Sequence, residues 1–411
     1  MSIRSFACVA LCVLAAGCVT PAKRTAPPPA FPGVVKLLAT GAEPVRVVCF
    51  GDSVTGVYYH TGSRRAYADM LEIALKRAYP SANVSVINAG ISGHTTVNAL
   101  ARIDQDVLAH KPQLVTVMFG LNDMTRVPME EYANNLSTII DKCRAVGAEV
   151  LLCTPNAVIN TEGRPIAKLE QYVAVMRDVG AKKNAPVADC YAGFQRVRTN
   201  SESGFGYLMS DEIHPNMDGH KLFAQLMTET ITGKPVSLDD VESPFPAIPK
   251  TLALVKEGKP VRVYAMPPYD ALIAPALRAH FPSAEVAVTP WPVEGKTLPQ
   301  LEADSKAVRE MGVDLVIVAI PLEADADSPE QYGRSYRWVM NNALSFSYQE
   351  WDVVAFPPSL AKAKLADEDQ EKEAIARTLI RAQDLGTITR AKGDKATPEK
   401  LLSQWLRKQT R

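Results

Sequence analysis

The feature that most limits what this chain can fold into is that its second half begins by repeating its first. Pro260-Val261-Arg262-Val263 echoes Pro44-Val45-Arg46-Val47, and Phe281-Pro282-Ser283-Ala284-Glu285-Val286 echoes Tyr79-Pro80-Ser81-Ala82-Asn83-Val84. Gly295-Lys296-Thr297 stands at the offset of Gly93-His94-Thr95, and Asp314 to Ile320 matches Gln113 to Phe119. A period near two hundred residues means a duplicated domain, since solenoid repeats run to about 20–50 residues. The length agrees: at 411 residues the chain exceeds the roughly 250 residues at which a single hydrophobic core stops growing.

From Val45 onward, short β-branched runs alternate with helical periodicity, the pattern of a parallel sheet flanked by helices. Strands are predicted at Val45 to Phe50, Val84 to Asn88, Leu114 to Phe119, Glu149 to Cys153 and Pro186 to Cys190. Helices are predicted at Tyr67 to Ala78, Thr96 to His110, Glu130 to Val146, Leu169 to Lys182 and Met217 to Thr230. A proline-rich linker at 241–250 separates this domain, 34–240, from the second, 251–411. The second is expected to carry strands at Val261 to Ala265, Val286 to Val288, Leu315 to Ala319 and Val353 to Phe356, in the same order, and to end in an amphipathic helix within Thr397 to Arg411 that packs on it.

The N-terminus follows a different rule. Met1 to Arg4 is a short basic start and Phe6 to Ala16 is almost continuously apolar, too short to cross a bilayer, so residues 1–17 read as a signal peptide. Leu14-Ala15-Ala16-Gly17-Cys18 resembles a bacterial lipobox, which implies cleavage before Cys18 and a lipid on its thiol, with Ala15 where leucine is commoner. Residues 18–33, rich in proline, are then expected to be an extended tether. The expected location is the cell envelope, with contact to the membrane through the N-terminal lipid.

Charge excludes one class of partner. Lys plus Arg equals Asp plus Glu, 45 each, with no long basic run, so nucleic acid is not an expected partner. Cys49, Cys143, Cys153 and Cys190 lie in the first domain with no C-x-x-C spacing; Cys49 and Cys153 sit inside apolar runs, so all four are expected to be buried free thiols.

Four segments carry chemistry. Gly51-Asp52-Ser53-Val54-Thr55 follows the first strand directly, which puts Ser53 where doubly wound sheets keep their ligand crevice. Asp211-Glu212-Ile213-His214-Pro215-Asn216 precedes the last helix of the first domain. An acid three residues before a histidine in a tight turn reaches Nδ1, fixes the tautomer and stabilises the imidazolium formed when Nε2 takes a proton from serine. The anionic oxygen of an acyl-transfer intermediate needs donors fixed in advance. Gly93, after the second strand, and Asn122 in Gly120-Leu121-Asn122-Asp123, after the third, come off the same end of the sheet, so the Gly93 N–H, the Asn122 amide and the Ser53 N–H form a candidate oxyanion hole.

These segments, in this order, resemble the blocks of the SGNH (GDSL-like) hydrolase family: a G-D-S nucleophile motif, a glycine, G-x-N-D, and D-x-x-H. The resemblance covers Val45 to Thr232. It implies a flavodoxin-like three-layer α/β/α sandwich with a parallel sheet, a catalytic triad of Ser53, Asp211 and His214, and an oxyanion hole of Ser53, Gly93 and Asn122. It also implies a serine esterase acting on carboxylic esters through an acyl-enzyme, with no metal or organic cofactor. For an envelope protein the expected substrate is a small acyl ester or an acylated glycan; an acyltransferase, a thioesterase or lysophospholipase, and a non-catalytic glycan-binding lipoprotein are the alternatives.

The second domain is expected to be catalytically degenerate. Pro267-Pro268-Tyr269 stands opposite Gly51-Asp52-Ser53, Pro321-Leu322-Glu323-Ala324 stands opposite Gly120-Leu121-Asn122-Asp123, and its one histidine, His280, lies at the wrong end of the sheet. The segment after the first strand is also about fourteen residues shorter there. The extra loop in the first domain carries Tyr58, Tyr59, His60, Arg64 and Arg65, expected either to line the substrate pocket or to form a solvated loop. His94 and His220 are expected at the surface or hydrogen-bonded, and Asp52 and Asp123 to pin the motif loops.

Overall fold

The computed structural model describes residues 30–410 except 57, 347 and 392. The signal segment and Cys18 lie outside the described residues. The tether read to Gly33 ends sooner than expected. Ala30 N–H donates to Thr230 O, Phe31 is buried, and a helix opens at Pro32 and runs to Thr40. Proline at the first helical position gives up an N–H that would have no partner there.

Five parallel strands form the first sheet: β1 (Val45–Gly51), β2 (Val84–Gly90), β3 (Leu114–Met118), β4 (Glu149–Cys153) and β5 (Val187–Ala188), in the order β2-β1-β3-β4-β5. This is the flavodoxin-like order. Right-handed crossovers then dictate the layers. The helix Tyr67–Ala78, after β1, packs with the closing helix Met217–Thr232. The helices Thr96–Asp106, Met129–Ala145 and Ile166–Lys183, after β2, β3 and β4, pack in sequence as the other layer. Every β3 residue is buried, as expected of a strand covered on both faces. The predicted strand through Cys190 stops at Ala188, because Asp189 caps a helix, Cys190–Asn200, by accepting from Ala192 N–H.

The second sheet contains β6 (Val261–Ala265), β7 (Val286–Pro290), β8 (Leu315–Val318) and β9 (Asp352–Ala355) in the order β7-β6-β8-β9, which is the first order less its fifth strand. A single parallel bridge, Val354 with Gly386, stands where the fifth strand would pair. The registers match as well as the order. Val45 pairs with Val84 and Val47 with Leu114; Val261 pairs with Val286 and Val263 with Leu315. The offset is thus 216 residues along β1 and β6 (261 − 45), 202 at β2 and β7 (286 − 84), and the difference is the extra loop of the first unit. The C-terminal helix Pro398–Gln409 buries Leu401, Leu402, Trp405 and Leu406 and packs on the helix Tyr269–His280, as the closing helix of the first unit packs on Tyr67–Ala78. The linker is shorter than expected: Ile248 is already in the second core, and a helix at Pro249–Lys256 packs on β6 and β9.

Candidate active site

The strand order reverses between β1 and β3, and the crevice at their carboxyl ends is where this topology places ligands. There β1 ends at Gly51 and a short helix, Ser53–Gly56, begins at once. The turn needs glycine: a Cβ on Gly51 would lie 2.0 Å from Thr55 Oγ1 and 2.8 Å from Met118 O. Arg102 ties the strand ends together, donating from Nη2 to Gly51 O at 2.9 Å and from Nη1 to Ala89 O at 2.8 Å. Asp52 pins the turn as expected, its Oδ1 accepting from Val54 N–H at 3.0 Å. Its burial pushes the carboxyl up to about 7, against the opposing pull of that N–H.

Ser53, His214 and Asp211 come together over 161 residues of chain. Ser53 Oγ is 2.9 Å from His214 Nε2, and His214 Nδ1 is 2.8 Å from Asp211 Oδ2. The other carboxylate oxygen accepts from Ile213 N–H at 2.7 Å and His214 N–H at 2.6 Å, so the turn wraps around its own acid. Burial alone would raise the Asp211 carboxyl. The adjoining His214 and His60 rings and the hydrogen bonds from His214 outweigh it and hold Asp211 well below the usual carboxylate range. The turn is pinned from both sides: Asn156, after β4, donates to Ile213 O at 2.8 Å, and Asn216 caps the closing helix through Gly219 N–H.

The candidate oxyanion donors flank this relay. Gly93 sits in the turn after β2 with φ +76° and open space around its α-carbon, so the left-handed backbone is what requires glycine there. Arg126 Nη2 donates to Gly93 O at 2.5 Å, and Asn122 Nδ2 donates to His94 O at 3.1 Å, with Asp52 Oδ2 3.4 Å away. Asp123 pins the same turn from the β3 side, accepting from Thr96 N–H at 2.8 Å and Thr96 Oγ1 at 2.6 Å. A half-buried serine–histidine–carboxylate relay at a strand end is the chemistry of a nucleophilic acyl hydrolase.

The family comparison agrees with that class. The GDSL-like lipase/acylhydrolase family profile matches residues 49–222. An acetylxylan esterase of Geobacillus stearothermophilus is 28% identical over 170 residues, spanning 38% of this chain and 76% of that protein. A lipoprotein of Bacillus subtilis, YqeF, is 27% identical over 41% of this chain and 80% of its own length. An arylesterase of Vibrio mimicus is 33% identical over 45% of this chain and 88% of its own length. The chain belongs to the GDSL-like lipase/acylhydrolase family, and it is an ester hydrolase.

Two expectations about neighbouring residues are corrected. His220 is not at the surface: it is buried between Tyr67 and Phe223, its Nδ1 has no hydrogen-bond partner, and burial followed by the nearby His214 pushes its value down to about 3. The loop after β1 is neither a solvated flap nor a plain pocket wall. It is the dock for the second unit. Arg65 forms a two-pronged ion pair with Asp384 at 2.7 and 3.0 Å, Arg64 donates to Pro244 O and Pro246 O, and Tyr58 and Tyr59 meet Tyr348 and Phe346 edge-on. His60 turns inward to the relay. The available sequence signal was a histidine in the one segment that the repeat lacks, but its target, in the turn 150 residues away, is a tertiary matter. The four cysteines are buried and free, as expected.

Among the described residues, the second unit has nothing comparable. By the shared offset Tyr269 stands at the position of Ser53 (53 + 216), and its ring is buried 4.7 Å from that of Phe356, which in turn packs on Trp405. A cavity of about 160 Å³ remains there, walled mainly by Pro267, Ile320, Pro321 and Pro357. His280 Nε2 faces Ser403 O, 3.3 Å away, at the far end of the helix that Tyr269 opens.

Proposed function

We propose that this protein is a serine esterase that removes O-acetyl or other short acyl groups, from glycans or similar alcohols, through an acyl-enzyme. The observation that carries the reading is the continuous relay from Ser53 Oγ through His214 to Asp211, with contacts of 2.9 and 2.8 Å. Ser53 Oγ attacks the ester carbonyl carbon as its proton passes to His214 Nε2. The charge that develops on the carbonyl oxygen is met by the Ser53 and Gly93 N–H groups and the Asn122 amide. The bond to the alkoxy oxygen breaks, and His214 returns the proton to the departing alcohol. Water, deprotonated by the same imidazole, then cleaves the Ser53 ester and releases the carboxylic acid. No step calls on a metal or organic cofactor.

The acyl preference and location also belong to this reading. An acetylxylan esterase among the relatives supports a small acyl group on a sugar, and a lipoprotein relative together with the Cys18 motif supports a lipid-anchored envelope protein. Residues 1–17 would be the signal peptide and Cys18 the anchor. The second unit reads as a degenerate copy of the first, without a triad of its own, kept for packing or binding. The test is labelling with a fluorophosphonate, which reacts with activated serines. Modification at Ser53 that is lost in His214→Ala is expected, and hydrolysis of aryl acetates that survives Ser53→Ala would overturn the assignment.

A further inference from the structure

His60 is 1% exposed and lies flat on the His214 ring, with centroids 4.0 Å apart and planes 12° from parallel. Its Nε2 is 3.5 Å from Asp211 Oδ2, too far for a good hydrogen bond but close enough for a direct electrostatic contact. Its Nδ1 faces Asn341 Nδ2 at 3.3 Å and Ser210 Oγ at 3.4 Å. Asn341 belongs to the second unit, on the helix Pro329–Ala343 that follows β8, and is fully buried. Gln383, also from the second unit, donates to His60 O at 3.0 Å and Tyr59 O at 3.2 Å. A residue of the first unit that touches two members of the relay is thus held from both sides, by Ser210 and His214 of its own unit and by Asn341 and Gln383 of the second.

We propose that His60 is a positioning residue for the catalytic base, and that Asn341 sets its tautomer, so that the second unit completes the active site of the first. This rests on the triad reading of Ser53, His214 and Asp211. The electrostatics choose the tautomer. With the Asn341 amide donating to Nδ1, the one proton of a neutral His60 sits on Nε2 and points at the Asp211 carboxylate. The reverse arrangement would set an Nε2 lone pair against that carboxylate. The ring stays neutral because burial, then the neighbouring His214, push it well below the ordinary histidine range, against the pull of Asp211. The charged and titratable groups around it are His214 on its face, Asp211 at its edge, Tyr59 tilted against it at 40° with ring centroids 3.8 Å apart, and His220 and Arg309 beyond.

Two consequences follow for the reaction. The stack fixes the plane of the His214 ring, and displacement of a catalytic group by about 1 Å costs up to about 100-fold in rate. The Nε2–H also takes up part of the Asp211 charge. Without it the carboxylate grips a protonated His214 more tightly, so the base keeps its proton to higher pH.

The experiment uses the full-length protein and compares kcat, KM and the pH dependence of kcat/KM for wild type, Ser53→Ala, His60→Phe and Asn341→Ala, with thermal melting to give the folded fraction. His60→Phe keeps an aromatic ring on His214 and loses the N–H. We expect kcat to fall about tenfold with little change in KM, and the acid limb of kcat/KM to move up by roughly half a pH unit. Asn341→Ala is expected to move both in the same direction by less. A docking role alone would lower the folded fraction and scale kcat without moving the limb. Folded His60→Phe and Asn341→Ala enzymes with an unmoved limb would overturn the proposal. Wild-type hydrolysis that persists in Ser53→Ala would instead overturn the triad on which it stands.

Discussion

The two units of this molecule share strand order, register and the placing of their helices, yet among the described residues only the first brings a serine, a histidine and a carboxylate together at its strand ends. The difference lies in the loops at the carboxyl ends of the strands. In the first unit those loops begin with small and polar residues, Gly51-Asp52-Ser53 and Gly120-Leu121-Asn122, and the crevice holds a relay of hydrogen bonds. In the second they begin with Pro267-Pro268-Tyr269 and Pro321-Leu322-Glu323, and buried rings of Tyr269 and Phe356 occupy the ground where a relay would stand. A shared scaffold therefore sets where a site can be, and a few loop residues decide whether there is one. The third difference, the extra loop after β1, joins the units: it is missing from the second and packs against it.

Several measurements would break or sharpen this contrast. The largest effect is expected from Ser53→Ala, which should cut kcat by about 10⁴ or more while the fold is kept, with His214→Ala nearly as severe. Any residual turnover that depends on Tyr269 would break the contrast outright. Asp211→Asn should cost somewhat less, roughly 10³ to 10⁴, because the imidazole loses its tautomer and its charge partner but the nucleophile remains. Removing one oxyanion donor with Asn122→Ala should lower kcat by about 10² to 10³ and leave KM nearly unchanged. A rise in KM alone would place Asn122 in substrate binding.

The joint between the units gives a smaller effect, read in stability. Asp384 is buried and its partner Arg65 is nearly so, so Arg65→Ala leaves a charge without its counter-ion. We expect a loss of about 3 kcal/mol in urea unfolding, most of it restored in the double variant Arg65→Ala/Asp384→Ala. Unchanged stability in the single variant would mean that the loop and second unit are not energetically joined there.

Stability should carry a pH dependence that comes from His60. Its folded value lies well below the ordinary one near 6.5, so below about pH 6.5 the unfolded chain takes a proton that the folded one refuses, and stability falls as pH falls. His60→Phe should show a smaller loss of melting temperature between pH 7 and pH 5 than wild type; an equal loss would mean that His60 does not stay neutral when folded. The smallest expected effect is that of EDTA. His60, Asp211 and His214 cluster closely enough to offer metal donors, but the 2.8 Å contact between His214 and Asp211 is a hydrogen bond, so a chelator should leave activity unchanged.

How much of this was legible in the sequence varies with the range of the interaction. The boundaries of the helix Tyr67–Ala78 and of β4 and β6 coincide with the expected ones, because local periodicity and the flanking turns specify them. The helix Cys190–Asn200 and the end of the linker were misjudged. In each case a side chain or a packing contact overruled local preference: the Asp189 cap in the first, the burial of Ile248 in the second core in the other. Ser53, Gly93, Asn122, Asp211 and His214 could be proposed because each stands in a short motif at a strand end. His60 could not, since it has no motif and its partners lie in the Asp211 turn and in the second unit.

The sequence by itself determined that there are two α/β units in one order, that the residues for nucleophilic acyl chemistry lie in the first, and that the second has no histidine where a base would be needed. These are local or repeated patterns, and the order of strands follows from them through the handedness of the crossovers. Only the tertiary structure decided that the extra loop is an interface, that His60 lies on the His214 imidazole, and that Asn341, 281 residues further along the chain, reaches it. Those facts depend on how two separately patterned cores press together, and contacts between surfaces leave no periodicity in either sequence.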